Sequence, residues 1–216
     1  MSSITIPRRA LLIIDVQYEY VTGALKIEYP PLMDSLRNIG KAMDAANEAN
    51  IPVIVVQQTA PPDSPLFATG SSGWQLHPTV VGRRRAHFVS KMLPSAFAGT
   101  DLKDWLLENH IDTVVIAGYM THNCNDATTK HAFDSGFRVE FLQDASGSVA
   151  YENRAGKASA EEIHRVFCVV EQSRFAAVMT TEEWILCLAG ANAPERDTIY
   201  LSRRRAQRLS GAGQGR

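Results

Sequence analysis

The sequence predicts an α/β protein built in three layers, α-β-α, around a six-stranded, mostly parallel, doubly wound sheet. Three observations lead there. Short apolar runs rich in β-branched residues recur, from Ala10–Ile14 through Thr113–Ala117 to Phe175–Met179. Without alternation they read as strands buried on both faces. Segments with helical spacing lie between them, and strand–helix alternation demands a parallel sheet covered on both sides. Acidic, basic and thiol residues follow at the ends of several runs, where open parallel sheets bind ligands.

Residues 1–9 form a short arm before strand one, Ala10–Ile14, which ends at Asp15. The following DVQYEYVTGALKIEYPP is too irregular for an element and reads as a loop over the crevice. Leu32, Leu36, Ile39, Met43 and Ala46 set a helix over Pro31–Asn50, and Pro52 prevents its continuation. Ile51–Val56 is the second strand, followed by Gln57, Gln58 and the Pro-rich loop APPDSP. The irregular segment Leu66–Pro78, with Phe67 and Trp74, is a candidate apolar contact surface. Arg83, Arg84 and Arg85 read as the solvated edge of strand three, Ala86–Ser90, which delivers Lys91. After the loop Pro94–Gly99, Thr100 caps a helix with Leu102, Trp105 and Leu106 on its inner face. Strand four, Thr113–Ala117, ends on Gly118, and Cys124 falls at the first turn of a helix stopped by Gly136.

Phe137–Leu142 is the fifth strand, with QDASGSVA a turn at its carboxyl end. Ser159 and Glu162 form a capping box for a helix whose stripe is Ile163, Val166, Phe167 and Val170. Cys168 beside that stripe reads as structural. Phe175–Met179 is strand six, and Thr180 with Glu183 caps a helix holding Trp184 and Leu188 that ends near Gly190. One domain thus spans 10–190, and 191–216 is a C-terminal extension. Residues 203–216 carry five arginines and no acid, which reads as a mobile, solvated tail.

At 216 residues and 23.8 kDa the chain has the length of one domain. A net charge of −1 argues against a dedicated nucleic-acid binder. The apolar runs are far shorter than a membrane span, and no secretory signal is read. Cysteines at 124, 168 and 187 make neither a CxxC pair nor a metal-finger spacing, which fits a reducing, cytoplasmic setting.

Asp15, Lys91 and Cys124 all fall at carboxyl ends of strands, so an acid, an ammonium and a thiol can converge on one crevice. A thiol at a helix N-terminus is favoured as thiolate. The motifs IIDVQ at 13–17, SK-x-x-x-SAF between Ser90 and Phe97, VIAGYMTHNC at 115–124 and QDA at 143–145 together resemble the isochorismatase-like cysteine hydrolases. The resemblance covers roughly Arg9 to Leu188. It implies the isochorismatase-like hydrolase fold and an Asp15–Lys91–Cys124 triad. It also implies a cis peptide between Tyr119 and Met120, and an oxyanion hole from the backbone N–H groups of Met120 and Cys124. A homo-oligomer, dimer or tetramer, is implied as well.

The family's nicotinamidase branch carries a metal-binding Asp-x-His that this chain lacks, so neither metal nor cofactor is expected; His77 is the only histidine nearby. Gln17 matches the family's DxQ, and Tyr18 stands where asparagine is usual. Gln17, Tyr18, Tyr20, Gln58, Trp74, Tyr119 and His122 are the substrate-binding candidates. Asn125 stands in place of the family's aliphatic residue, and Lys130-His131 in place of its Arg-Asp. The implied reaction is hydrolysis of a C–N bond in a small amide or carbamoyl compound through a thioester. Isochorismatase-type vinyl-ether hydrolysis and a non-catalytic binding or assembly role remain alternatives.

Overall fold

The computed structural model describes residues 7–211. Strand β1 (Arg9–Ile14) is buried at every position, as an apolar run without alternation requires. Arg9, expected in the arm, is its first residue and pairs at 2.8 Å with the buried Glu140. After α1 (Leu32–Glu48) come β2 (Val53–Gln58), the short α2 (Pro78–Val81), β3 (His87–Lys91), α3 (Leu102–Glu108) and β4 (Thr113–Tyr119). Helix α4 (Asp126–Asp134) leads to β5 (Arg138–Gly147), a hairpin of β6 (Tyr151–Asn153) and β7 (Gly156–Ala158), α5 (Ala160–Arg174), β8 (Ala177–Met179), α6 (Thr181–Leu188) and α7 (Ile199–Gly211).

The six-stranded sheet has the order β3-β2-β1-β4-β5-β8, and every pairing in it is parallel. One face packs Leu11, Ile13 and Val115 against Leu36, Ile39 and Met43 of α1 and Trp184 of α6. The other packs Leu12, Ile14 and Ile116 against Leu102 and Leu106 of α3, Ala132 of α4 and Cys168 of α5. These are the three layers expected. From β1 the chain runs outward to β2 and β3, then crosses back from β3 to β4 on the other side of β1, which puts the topological switch point, and a crevice, at the carboxyl ends of β1 and β4. No helix among the described residues is long and apolar enough to cross a membrane.

Both capping boxes form, at Ser159 with Glu162 and at Thr180 with Glu183. The Thr100 hydroxyl accepts from the Leu102 N–H at 3.3 Å. Several boundaries differ from the sequence reading. The segment Gln143–Gly147, expected as a turn, continues β5, because a register shift between Ile116 and Gly118 lets Ser146 and Gly147 pair with Gly118 and Tyr119. Gly118 has φ +111°, and a Cβ there would lie 2.0 Å from the Ile14 carbonyl oxygen, so only glycine fits. Phe67 is buried against Tyr20, with ring centroids 5.3 Å apart, and the Trp74 indole N–H donates to Thr59. The segment Leu66–Pro78 is therefore not a free apolar surface. Residues 203–211 of the expected mobile tail are helical, within α7, and Asp197 just before that helix pairs with Arg205; residues 212–216 lie outside the described residues.

Helix α5 is turned relative to its expected stripe. Its buried residues are Ala160, His164, Cys168 and Glu171, whereas Val166 and Val170 are exposed. Periodicity finds the most apolar face; here the inner face carries polar groups, His164 bonded to Thr121 and Glu171 facing the Asp126 carboxylate. Burial, and then the neighbouring Asp126 carboxylate, push Glu171 up to about 9 against the pull of Lys130. From the ordinary value of 4.5 up to about 9 the folded state keeps a proton the unfolded chain releases, so stability falls as pH rises through that window. Glu171→Gln should flatten this slope and raise the thermal midpoint at pH 9 above wild type. Thermal melts across pH test it; parallel wild-type and variant curves would contradict it.

Candidate active site

Asp15 follows the last residue of β1 with φ 53°, a conformation that turns its carboxylate out of the strand line. Its amide donates to the Val56 carbonyl at 3.0 Å, so the turn stays tied to β2. Lys91 is the last residue of β3, two strands away, and its long side chain reaches past the end of β2. Its Nζ lies 2.7 Å from Asp15 Oδ2 and donates to Gln58 Oε1 at 2.6 Å and to Cys124 Sγ at 3.3 Å. The ammonium thus donates two hydrogen bonds and meets the Asp15 carboxylate as an ion pair. The side chains of Asp15 and Lys91 are wholly buried, and Cys124 is 4% exposed.

Cys124 sits in a π-helical turn, Thr121–Asn125, between β4 and α4, rather than in the first turn of an α-helix. Burial, and then the Asp15 charge, push its thiol well above the ordinary range, while Lys91 pulls the other way. Burial and Asp15 thus work against the thiolate that a helix N-terminus favours, and Lys91 works for it. Burial raises Asp15, with Lys91 opposing. Burial lowers Lys91, but Asp15 and Cys124 outweigh it and raise the group. A carboxylate of raised proton affinity beside a thiol is suited to take its proton.

The Tyr119–Met120 peptide is cis. Met120 is 1% exposed, and among the described residues its N–H has no hydrogen-bond partner. More than about nine in ten buried backbone N–H groups are paired, so an unpaired one next to the turn that carries Cys124 is a rare free donor. Asn125, the departure from an aliphatic residue, is buried; its amide donates to the Gly118 carbonyl at 2.8 Å and to Ser146 Oγ at 3.1 Å. It ties the end of β4 to the continuation of β5.

The substrate-binding candidates divide. Gln17 is fully buried, donates to the carbonyls of Gln58 and Trp74, and accepts from the Gln58 N–H, so its amide is occupied in holding loops. The Tyr119 hydroxyl meets Ser35 at 2.7 Å within the core. Tyr18 packs on His77 with centroids 5.4 Å apart, and half-buried Trp74 bonds Thr59. Tyr20 and Gln58 stand at the triad: burial and then the charges of Cys124 and Asp15 raise the Tyr20 phenol, and Gln58 bonds Lys91. His122 Nδ1 is 3.0 Å from Ser148 Oγ, and burial lowers its pKa to about 4, which keeps it neutral.

Tyr151, in the exposed β6–β7 hairpin, was not foreseen. Its ring meets His122 edge-on at 5.0 Å, and burial, then the nearby Cys124, raise its phenol. Nothing in the spacing of the sequence marks it. His77, the one histidine considered for a metal, caps α2 by accepting from the Thr79 N–H. Among the described residues no three His, Cys, Asp or Glu side chains gather as metal ligands.

The family model described as the isochorismatase domain matches residues 9–183. A solved structure of a protein from Burkholderia xenovorans LB400, described as a putative isochorismatase, superposes with a TM-score of 0.94 at 59% identity, covering 96% of this chain and 100% of that one. An uncharacterized isochorismatase family protein of Bacillus subtilis, YddQ, is 27% identical over 82% of this chain and 98% of its own. Maleamate amidohydrolase of Pseudomonas putida is 27% identical over 64% of this chain and 71% of its own.

Proposed function

This chain belongs to the isochorismatase family, whose hydrolases include amidases, and within it we propose a cysteine-dependent hydrolase that cleaves a C–N bond of a small amide or carbamoyl compound. The observation that carries the reading is the three-way contact of Lys91 with Asp15, Cys124 and Gln58 in a buried crevice. As Cys124 sulfur bonds to the substrate carbonyl carbon, its proton passes to Asp15 and the carbonyl π pair moves to oxygen. The N–H groups of Met120 and Cys124 hold that oxyanion, a contribution of about 3 kcal/mol per donor. The oxyanion collapses, the C–N bond breaks, and Asp15 gives its proton to the departing nitrogen. A thioester remains on Cys124. Water then loses a proton to Asp15 and adds to the thioester carbon; the C–S bond breaks and the proton returns to sulfur. Lys91 keeps its charge throughout and holds Asp15 and the sulfur in register.

Tyr20, Tyr151 and His122 are assigned to the substrate pocket, with Tyr18 and Trp74 in the loops over it. The three cysteines are unpaired, which suits a reducing cytoplasm that keeps Cys124 reduced. The test is a panel of small primary amides, carbamoyl amines and isochorismate, scored for ammonia and for pyruvate. Ammonia from an amide, lost in Cys124→Ala, is the expected result. Pyruvate from isochorismate without ammonia from any amide would replace this reading with vinyl-ether hydrolysis.

The chain is proposed to act as a homo-oligomer through the outer face of α5. Val166, Val169 and Val170 are exposed there, flanked by Glu161 and Glu162 in the first turn and Arg174 in the last. Antiparallel pairing about a two-fold axis sets Val166 on Val170 of a second copy and the acidic end of each helix on the basic end of the other. Light scattering should give a mass above 23.8 kDa that falls to the monomer in Val170→Glu. A wild-type monomer at every concentration would contradict it.

A further inference from the structure

We infer that His164 is a positioning residue for the oxyanion turn, holding it in place by accepting a hydrogen bond from the Thr121 hydroxyl. The inference rests on the cysteine-hydrolase reading above and adds to it a residue 40 positions beyond the nucleophile, on another helix.

Thr121 follows Met120, whose unpaired N–H is the proposed oxyanion donor. It is fully buried, and its Oγ1 lies 2.8 Å from His164 Nδ1. His164 is 5% exposed, on the inner face of α5, a place where a polar ring is costly unless its nitrogens have partners. Both have them: Nδ1 meets Thr121, and Nε2 lies 3.6 Å from Cys168 Sγ. The ring is set by Tyr29, edge-on at 5.5 Å. Burial, and then His122, push His164 down to about 4, against a backbone hydrogen bond at Gln143, so the imidazole is neutral with one N–H. With that proton on Nε2, Nδ1 carries the lone pair that accepts from Thr121.

From within the turn, the Met120 carbonyl accepts from the N–H groups of Asn123 and Asn125 at 3.1 and 3.2 Å. From outside, His122 meets Ser148, Asn125 is bonded to Ser146, and Thr121, the residue next to Met120, is bonded to α5. Without the Thr121 tie the peptide unit beside Met120 can rotate, which leaves sulfur and base in place but moves the donor off the oxyanion. A displacement of about 1 Å at such a donor costs up to about a hundredfold in rate.

A small aldehyde isolates this effect without knowledge of the substrate. The Cys124 thiol adds to the aldehyde: the S–C bond forms, the carbonyl π pair moves to oxygen, and the thiol proton reaches that oxygen by way of Asp15. Acetaldehyde affinity, read as protection of Cys124 from iodoacetamide, therefore reports the oxyanion site. Iodoacetamide alkylation by itself makes no oxyanion and reports the nucleophile. His164→Phe and Thr121→Val should each weaken acetaldehyde binding by about ten- to a hundredfold with the alkylation rate unchanged. His164→Asn, which keeps an acceptor near the Nδ1 position, should stay close to wild type. The double variant Thr121→Val/His164→Phe should be no worse than either single one, because both remove the same bond. Should His164→Phe not fold, Thr121→Val and His164→Asn carry the comparison.

Acetaldehyde bound as tightly by His164→Phe as by wild type overturns the positioning role. So does a parallel loss of alkylation rate, which marks a general loosening of the site. A wild-type protein that neither binds acetaldehyde nor alkylates at Cys124 removes the cysteine-hydrolase reading itself, and the inference with it.

Discussion

Asp15→Asn should keep the fold and lower turnover by roughly 10³- to 10⁴-fold. Asparagine has the size of aspartate and can still accept from Lys91, but it cannot take the thiol proton. Burial and the Asp15 charge hold that proton toward sulfur, against the pull of Lys91. A mechanism that needs the proton moved twice in each half-reaction loses most when the carrier is lost. Michaelis parameters with the best amide of the panel measure it, with KM changing little. Near-normal turnover would mean that the proton leaves by another path, and His122, two residues before the nucleophile, is the first group to test.

Lys91→Met should be damaging in a second way, through stability as well as rate. Methionine fills similar space but leaves Asp15 wholly buried without its counter-charge. Removing one partner of a buried pair costs about 3–5 kcal/mol when the other stays charged. The variant limits that cost by taking a proton onto Asp15, so it should recover stability as pH falls, relative to wild type. In wild type the Lys91 pKa is raised, so the stability its charge contributes is complete below the ordinary lysine value of 10.5 and is lost only as pH rises beyond it. Urea denaturation of both proteins across pH reads the difference. Turnover should fall as well, since nothing then lowers the thiol. Equal stability at neutral pH would show that Asp15 is uncharged in wild type and that the ion pair does not exist.

The sheet was legible because buried parallel strands leave continuous apolar runs, and the meeting of Asp15, Lys91 and Cys124 because they follow where those runs end. The cis peptide and the Met120 donor came from family resemblance alone; the structure adds the physical mark, a buried N–H without a partner. Other features leave no local pattern. The continuation of β5 through Gly147 depends on a register shift against β4. The orientation of α5 is set by Thr121 and Asp126 meeting His164 and Glu171, so its most apolar stripe faces outward. Tyr151 reaches the site from a hairpin that sequence spacing does not place. Gln17, a candidate from the family's DxQ, and Tyr119, a candidate by proximity to a strand end, face loop carbonyls and Ser35, which neither ground foretells.

The central claim is that an acyl group passes through Cys124. The most direct measurement is acid quenching during turnover of the best amide in the panel, followed by peptide mass spectrometry. The predicted result is the acyl mass on the peptide holding Cys124, labile to hydroxylamine, and absent in Cys124→Ala together with ammonia release. Ammonia released at the wild-type rate by Cys124→Ala, with no acyl mass on that peptide in the wild type, would contradict it.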